Sequence, residues 1–370
     1  MGRGVTTVAV VNAYRQYAGS TVAALTYLDA LNARGYQASW YQCVDTKSLE
    51  GWLPRETIVR GWTTPVESLN IAVNRLYTFP RRLRGLQENL VLASDQVLSG
   101  LTEDHRNCLV VVHDLRELDR ATRTNPGARV LYHFLLPKLR KAQGLLTISE
   151  HTKRWVESRL SDLPPIKVVH HGTQTQGAPA EHLEGSLLRL QEKKELNVLY
   201  VAVDRPYKRV DFFLDLAREA AKVSSSLGVT FRFHLVSKLT PASREDLARR
   251  PIPALRVSAQ VSDMQEVWRG TDVLAFPSTM EGFGLPLIEA MQFGIPLLAC
   301  DLEPMREVVG EGGALLPASD LPAWSAALGR LADPVTFQAA SHRSSARGAR
   351  FTQSAFADRL RSALQEFGYS

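Results

Sequence analysis

Residues 277–289 read PSTMEGFGLPLIE. The run follows a short apolar stretch at 273–276 that is typical of a buried strand, and it places Glu281 and Glu289 eight positions apart. Pro286 suits the first position of a helix, where its missing N–H removes no hydrogen bond, and Gly294 suits the left-handed residue that ends a short helix. The sequence therefore predicts a strand, a glycine loop and a helix. At such a helix start, glycines and outward-pointing N–H groups let an anion or a sugar approach the main chain.

A second apolar run, IPLLAC at residues 295–300, predicts another strand after this helix. A helix between two parallel strands places the loop at the carboxyl edge of the sheet, where open α/β sheets bind ligands. Glu281 lies in the loop and Glu289 about one turn inside the helix, so they can contact different parts of one extended ligand. The simpler interpretation is that both are ordinary surface carboxylates, but that interpretation does not explain this order of loop, helix and strand.

The run PSTMEGFGLPLIEAMQFGIPLLA at 277–299, continued by EVVGEGGALLP at 307–317, resembles the signature of retaining glycosyltransferases of family 4. The hallmark of that family is Glu, seven residues, Glu. The resemblance implies an α/β GT-B fold, in which two Rossmann-like domains face each other across a cleft. It predicts an acceptor-side domain at 1–175, a nucleotide-sugar domain at 176–350, and a last helix at about 351–370 that packs back on the first domain.

Composition agrees with two domains and limits the class of partner. The chain has 370 residues, of which 45% are hydrophobic, enough for two cores. A net charge of +6 suits acidic partners such as nucleotide diphosphates or anionic membranes, and no nucleic-acid-binding motif is present. Scattered Cys43, Cys108 and Cys300 predict reduced thiols and a cytoplasmic protein. Since no apolar run reaches about 18 residues, neither a membrane span nor a signal peptide is expected.

The first loop of the N-terminal half contains one glycine. Residues 5–11 predict a strand, and residues 21–33 predict a helix that Gly35 ends. Family 4 enzymes usually carry a glycine pair in this loop, facing the acceptor and the donor phosphates, whereas only Gly19 is present here. The resemblance therefore assigns Gly19 to donor binding, with an ordinary turn as an equally supported alternative.

Histidines follow two predicted strands of this half. The apolar run at 108–112 ends in His113 and Asp114. The resemblance places His113 close to the donor sugar and the acceptor, and Asp114 on the acceptor side; a structural histidine is the alternative. His170 and His171 are adjacent on a strand and would point to opposite faces, which argues against a joint metal site. No Asp-x-Asp triplet occurs, and GT-B enzymes generally work without a bound divalent metal, so no metal and no cofactor are expected.

A basic and aromatic segment spans residues 69–84. Such a mixture suits a membrane interface or an anionic lipid-linked acceptor, and it predicts peripheral contact with the inner face of the membrane. The solvated face of an amphipathic helix is the simpler alternative. The arginines concerned are Arg75, Arg81, Arg82 and Arg84.

The second domain begins with a predicted strand at 196–203, followed by the loop DRPYKR. Family members typically end this strand with glycine and place an Arg and a Lys in the loop, where they clamp the donor diphosphate. Here Ala202 replaces the glycine and Tyr207 precedes Lys208. Lys208 takes the phosphate role, and Arg205, or less well Arg209, supplies the second cation, since a guanidinium can bind phosphate oxygens with two hydrogen bonds.

The resemblance then assigns a role to each candidate. Glu281 binds the donor sugar hydroxyls and Glu289 the ribose. Retention is usually explained by attack on the same face, with the departing phosphate accepting the proton, so no general base is assigned. The catalytic candidates are Glu281, His113 and Lys208. The donor-binding candidates are Gly19, Arg205, Lys208, Val261 beneath the base, Gly282, Phe283, Gly284, Leu285 and Glu289.

The predicted activity is that of a hexosyltransferase. It would use a UDP- or GDP-sugar and a glycan or lipid-linked acceptor in cell-surface polysaccharide or glycoconjugate synthesis. The departures at Gly19, Ala202 and Tyr207 keep open a non-catalytic GT-B protein that binds a nucleotide or glycan and supports another transferase. A GT-B isomerase, such as a nucleotide-sugar epimerase, is a further alternative.

Overall fold

The computed structural model describes residues 5–12, 19–42, 73–118 and 126–370. Cys43 and the side chain of Arg75 lie outside the described residues. The chain divides into two compact units. Unit 1 comprises Met1–Gly172 together with Gln353–Ser370, and unit 2 comprises Thr173–Thr352. These divisions lie within three residues of the boundaries predicted near 175 and 351.

Unit 1 is built on a parallel six-stranded sheet in the order β2-β1-β3-β4-β5-β6. Strand β1 lies between β2 and β3, with Val8 opposite Ala38 and Leu90. The strands are Thr7–Asn12 (β1), Gln37–Gln42 (β2), Leu90–Ala93 (β3), Cys108–Val112 (β4), Gly144–Thr147 (β5) and Ile166–Val168 (β6). The helices before the unit boundary are Gly19–Asn32 (α1), Phe79–Arg82 (α2), Pro126–Leu135 (α3) and Glu150–Glu157 (α4), with 3₁₀ turns at Gln96–Glu103 and Leu136–Lys141.

Unit 2 is built on a second parallel six-stranded sheet, in the order β12-β11-β10-β7-β8-β9. Its strands are Glu195–Val201 (β7), Thr230–Val236 (β8), Leu255–Ser258 (β9), Val273–Phe276 (β10), Leu297–Cys300 (β11) and Ala314–Leu316 (β12). Its helices are Pro179–Leu188 (α5), Val210–Leu227 (α6), Pro241–Arg249 (α7), Met264–Arg269 (α8), Leu285–Gln292 (α9), Met305–Val309 (α10), Leu321–Arg330 (α11) and Pro334–Gly348 (α12).

The last helix, Gln353–Glu366 (α13), belongs to unit 1. It buries Phe356, Leu360 and Leu364, each with at most 1% of its surface exposed. Just after the end of α1, Arg34 Nε donates to a carboxylate oxygen of Asp358 at 2.8 Å. Burial of these apolar side chains therefore holds α13 in unit 1, and the exposed ion pair contributes less.

The central strands of both sheets are continuous apolar runs. All five residues of β4 and all four of β10 are buried. Parallel strands are apolar along their whole length because helices cover both faces of the sheet. Their carboxyl ends consequently carry the first polar side chains, at the edge where the candidate site residues lie.

Candidate functional site

The loop between β10 and α9 turns through a residue that only glycine suits. Gly284 has φ +95°, and a Cβ built there would lie 2.9 Å from Leu287 Cδ1. The Leu287 amide donates to Gly284 O at 2.9 Å, which starts the helix. A side chain at position 284 would therefore meet both backbone strain and a steric conflict.

The helix that follows differs by one residue from the prediction. It begins at Leu285, so Pro286 occupies the second helical position and not the first. Proline is tolerated there for the same reason, because the first four N–H groups of a helix have no partner within it. Gly294 has φ +68° just after the helix, which confirms its predicted left-handed conformation.

Lys208 and Glu281 form an ion pair in unit 2. Lys208 Nζ lies 2.5 Å from Glu281 Oε1, and only 15% of the Lys208 side chain and 8% of the Glu281 side chain are exposed. The attraction is stronger here than at a water-exposed surface, because less solvent screens it. The structure thus brings together two residues that the sequence assigned separately to the phosphate and to the sugar.

Backbone contacts hold the two loops of this pair side by side. The carbonyl of Tyr207 accepts from the Thr279 amide at 2.8 Å, from Thr279 Oγ1 at 3.1 Å and from Ser278 Oγ at 3.3 Å. The hydroxyl of Tyr200 donates to the carbonyl of Lys208. These hydrogen bonds connect the loop that precedes α9 to the loop that follows β7, on either side of the ion pair.

The two candidate arginines of the β7 loop differ in their surroundings. Arg205 is exposed, and its carbonyl accepts from the Lys208 amide at 2.9 Å. Arg209 adopts φ +52°, and its guanidinium lies 3.6 Å from the Asp211 carboxylate and 3.4 Å from Ala318 O. Arg209 is thus held by its own neighbours, whereas the exposed Arg205 is the better candidate for a second cation.

Glu289 lies on α9, partly buried. Burial raises the pKa of its carboxyl to about 7, because loss of hydration disfavours the charged form. Glu289 therefore titrates close to neutral pH.

The other loop candidates line the start of α9. Gly282 and Phe283 are buried, Leu285 is partly buried, and the Phe283 ring packs edge-on against Phe351 at 5.8 Å. The Phe283 side chain is thus part of the interior of unit 2.

Val261 lies elsewhere in unit 2, in the turn between β9 and α8. It is partly buried and lines a cavity of about 700 Å³. His234, Arg256 and Asp263 also line this cavity, whereas Lys208, Glu281 and Glu289 do not. The lining of this cavity thus includes Val261 but not the ion pair.

His113 stands at the carboxyl end of β4 in unit 1, held by several hydrogen bonds. Its amide donates to Gln96 Oε1 at 3.0 Å, and its carbonyl accepts from Thr152 Oγ1 at 3.2 Å. Its Nε2 lies 2.8 Å from Ser94 O, and since a carbonyl only accepts, this nitrogen carries a proton. Asp114 is buried, with its carboxylate 3.1 Å from the guanidinium of Arg116.

No role for His171 was predicted from the sequence, but its ring stacks on that of His113. The ring centroids lie 5.5 Å apart with an interplanar angle of 10°. Burial holds the pKa of His171 well below its usual value, and the electrostatic effects of His113, Arg359 and His170 act in the same direction. A neutral ring thus supports His113. The tandem histidines were the only hint in the sequence, and alternation alone does not show which of them contacts His113.

The remaining predicted residues lie in unit 1. Gly19 is the first residue of α1, and residues 13–18 before it are outside the described part. Arg81 stacks over the ring of Tyr77 at 3.8 Å, Arg82 is exposed, and Arg84 pairs with Asp104 at 2.8 Å. In the ranges that the structure describes, no helix is both long and apolar enough to cross a membrane. Those same ranges contain no cluster of three His, Cys, Asp or Glu side chains suited to a metal ion.

The two parallel sheets with flanking helices define the GT-B fold, as the sequence predicted. Sucrose-phosphate synthase from Thermosynechococcus elongatus superposes with a TM-score of 0.76 at 16% identity, covering 99% of this chain and 100% of that one. HepE of Anabaena, solved with UDP and glucose, superposes with a TM-score of 0.73 at 17% identity, covering 98% and 100% of the two chains. At this identity the likeness shows the fold alone.

Residues 195–333 match the family model described as glycosyl transferases group 1. The D-inositol 3-phosphate glycosyltransferase of Rhodococcus erythropolis is 32% identical over 146 residues, which are 36% of this chain and 33% of the relative. The O-antigen chain mannosyltransferase RfbU of Salmonella typhimurium is 22% identical over 228 residues, 60% of each chain. The chain thus spans about a third of the length of the first of these relatives and under two thirds of the second.

Proposed function

We propose that the chain is a retaining glycosyltransferase of family 4 that moves a hexose-type sugar from a UDP- or GDP-sugar to a glycan or lipid-linked acceptor. The observation that carries the proposal is the pairing of Lys208 with Glu281 beside the start of α9. Both residues lie inside the segment matching glycosyl transferases group 1. The relatives are named as a D-inositol 3-phosphate glycosyltransferase and an O-antigen chain mannosyltransferase, and these names support transfer of a sugar.

The difficult step is departure of the nucleoside diphosphate, because negative charge grows on the phosphate as the bond to the sugar breaks. Lys208, Arg205 and the start of α9 would stabilise that charge in a partly dehydrated site. Glu281 would hold the donor sugar hydroxyls, and Glu289 the ribose. The departing phosphate accepts the proton of an acceptor that attacks from the same face, so no side chain serves as general base.

Unit 1 would supply the acceptor side. His113 and Asp114 stand at the carboxyl edge of its sheet, and Gly19 at the start of α1. We assign no divalent metal to the reaction, because protein cations supply the positive charge. Turnover that persists unchanged in excess EDTA is the expected result, and loss of activity restored by Mg²⁺ or Mn²⁺ would contradict this assignment.

A screen of nucleotide sugars tests the donor. A ligand that binds only the folded protein raises the melting temperature, so we expect UDP- or GDP-sugars to stabilise the chain within a panel that also contains dTDP- and ADP-sugars. Absence of stabilisation by all four classes would overturn the proposed function. Binding without turnover would instead favour the non-catalytic alternative, and conversion of the donor without acceptor the epimerase.

We also propose that unit 1 contacts the inner face of the membrane from the cytoplasm through Arg75, Arg81, Arg82 and Arg84. An exposed apolar pair on α3, Val130 and Phe134, which are 58% and 62% exposed, supports this contact. Cations and apolar side chains on one unit suit an anionic bilayer, where cations contact headgroups and apolar groups enter the interface.

A further inference from the structure

We propose that the Lys208–Glu281 ion pair opens when the donor binds, so that recognition of the diphosphate and recognition of the sugar are coupled through one pair of side chains. The inference rests on the proposed function, because it takes Lys208 as the phosphate ligand and Glu281 as the sugar ligand. It adds that the protein binds a nucleoside diphosphate weakly unless the sugar is attached.

The first argument is burial. With 15% and 8% of their side chains exposed, Lys208 and Glu281 have both lost most of their hydration. An unpaired charge in such surroundings is strongly unfavourable. Among the ion pairs of the described residues, each of these two side chains takes part only in this one. Without a ligand, each charge therefore depends on the other.

The second argument is that only side chains need to move. The Lys208 amide is fixed to Arg205 O at 2.9 Å, and its carbonyl is held by the Tyr200 hydroxyl. The neighbouring carbonyl of Tyr207 is bound by Thr279. The flexible four-carbon stem of Lys208 can rotate from Glu281 to a phosphate while these backbone contacts stay intact.

The two ligands then leave Glu281 in different states. A bare nucleoside diphosphate takes Lys208 away and leaves a largely buried carboxylate without a cation. A nucleotide sugar takes Lys208 as well, but its hydroxyl groups donate hydrogen bonds to Glu281. The energy of opening the pair is thus recovered only from the complete donor, and the diphosphate product binds less tightly once the sugar has left.

Isothermal titration calorimetry with UDP and UDP-glucose, and with GDP and GDP-mannose, tests this coupling. In Glu281→Gln the amide no longer holds Lys208 as an ion pair, so we expect the affinity for the bare diphosphate to rise about tenfold. The affinity for the sugar nucleotide should fall or stay level. In a Lys208→Met, Glu281→Gln double variant the gain should disappear.

Glu195→Gln is the matched control, because it removes a carboxylate from another ion pair of unit 2, that with Arg232 at the opposite end of β7. It should leave diphosphate affinity unchanged. An equal gain in the control, or unchanged diphosphate affinity in Glu281→Gln, would overturn the coupling while leaving the donor site in place. Failure of the wild-type protein to bind any of the four ligands would overturn the proposed function and this inference with it.

Discussion

Lys208 is the residue whose removal tests the donor site most directly. Lys208→Ala deletes a cation from a largely buried phosphate site, so we expect diphosphate binding to weaken by about 2–4 kcal/mol. Calorimetry with UDP and GDP measures the change. Lys222→Ala is the control, since Lys222 is an exposed cation of the same unit, paired with Glu219 on α6. Equal affinity of Lys208→Ala and wild type would refute the phosphate role.

Glu289 predicts a pH dependence of stability. Its pKa, raised to about 7 by burial, exceeds the usual value, so its charged form disfavours the folded state. The resulting destabilisation is absent below about pH 4, grows as pH rises through 7, and is complete above that. The free energy of unfolding of Glu289→Gln, taken relative to wild type, should therefore rise by about 2 kcal/mol between pH 5 and pH 8. Urea unfolding at both pH values measures the gain.

The exposed Glu245 on α7 provides the comparison for that measurement. Its side chain is 69% exposed, so Glu245→Gln measures at both pH values what removing a solvent-screened carboxylate does to the free energy of unfolding. A pH-independent effect of Glu289→Gln would show that Glu289 titrates as an ordinary surface carboxylate.

For single residues, the sequence predicted which side chains belong to the candidate site better than it predicted which of them contact one another. The spacing within 277–289 marked Glu281, and the loop after β7 marked Lys208. Their ion pair was not predictable, because 73 positions separate the two residues and the pairing depends on the hydrogen bonds between Tyr207 and Thr279. The same limit applies to the stack of His171 on His113, which depends on the ends of two different strands.

Among the elements, the start of α9 is the most sensitive to a single substitution. Gly284→Ala adds a Cβ at φ +95°, 2.9 Å from Leu287 Cδ1, so we expect a loss of about 1–3 kcal/mol in the free energy of unfolding. Gly185→Ala is the control, because a Cβ at Gly185 within helix α5 meets nothing within 4 Å and alanine favours a helix. Urea unfolding that found Gly284→Ala as stable as Gly185→Ala would contradict the strained geometry.

Element types followed from the sequence more reliably than element ends. The predicted strand at 273–276 coincides with β10, whereas the strand predicted at 196–203 ends at Val201. Hydrophobicity continues through Val203, which is 64% exposed, so apolar character alone did not mark where the chain leaves the sheet. Strand ends depend on the length of the neighbouring strand, which periodicity within one segment does not contain.

Across the whole molecule, the basic segment makes a testable membrane surface. Each cation near an anionic bilayer contributes about 1 kcal/mol, so replacing Arg75, Arg81, Arg82 and Arg84 by Gln should abolish most binding to phosphatidylglycerol vesicles in cosedimentation. Vesicles of phosphatidylcholine alone should bind neither protein. The matched control replaces four exposed cations of unit 2 by Gln, namely Lys222, Arg244, Arg249 and Arg343. Equal binding by both quadruple variants would refute a specific surface.

Two units could be anticipated from length and apolar content, because these properties belong to contiguous sequence. The return of α13 to unit 1 came from the family resemblance alone. Its contacts with α1 and the turn after it join residues over 300 positions apart, such as Arg34 and Asp358, and no local pattern records such a partner.

The return of α13 also sets an order of folding during synthesis. Residues 173–352 form a contiguous unit, so unit 2 can fold as soon as its own segment has left the ribosome. The first segment of unit 1 is synthesised before unit 2, yet the core of unit 1 lacks Phe356, Leu360 and Leu364 until residues 353–366 leave the ribosome. Of the two units, unit 1 therefore completes its core last although its first segment is synthesised before unit 2, and its uncovered α1 surface is open to aggregation in the interval.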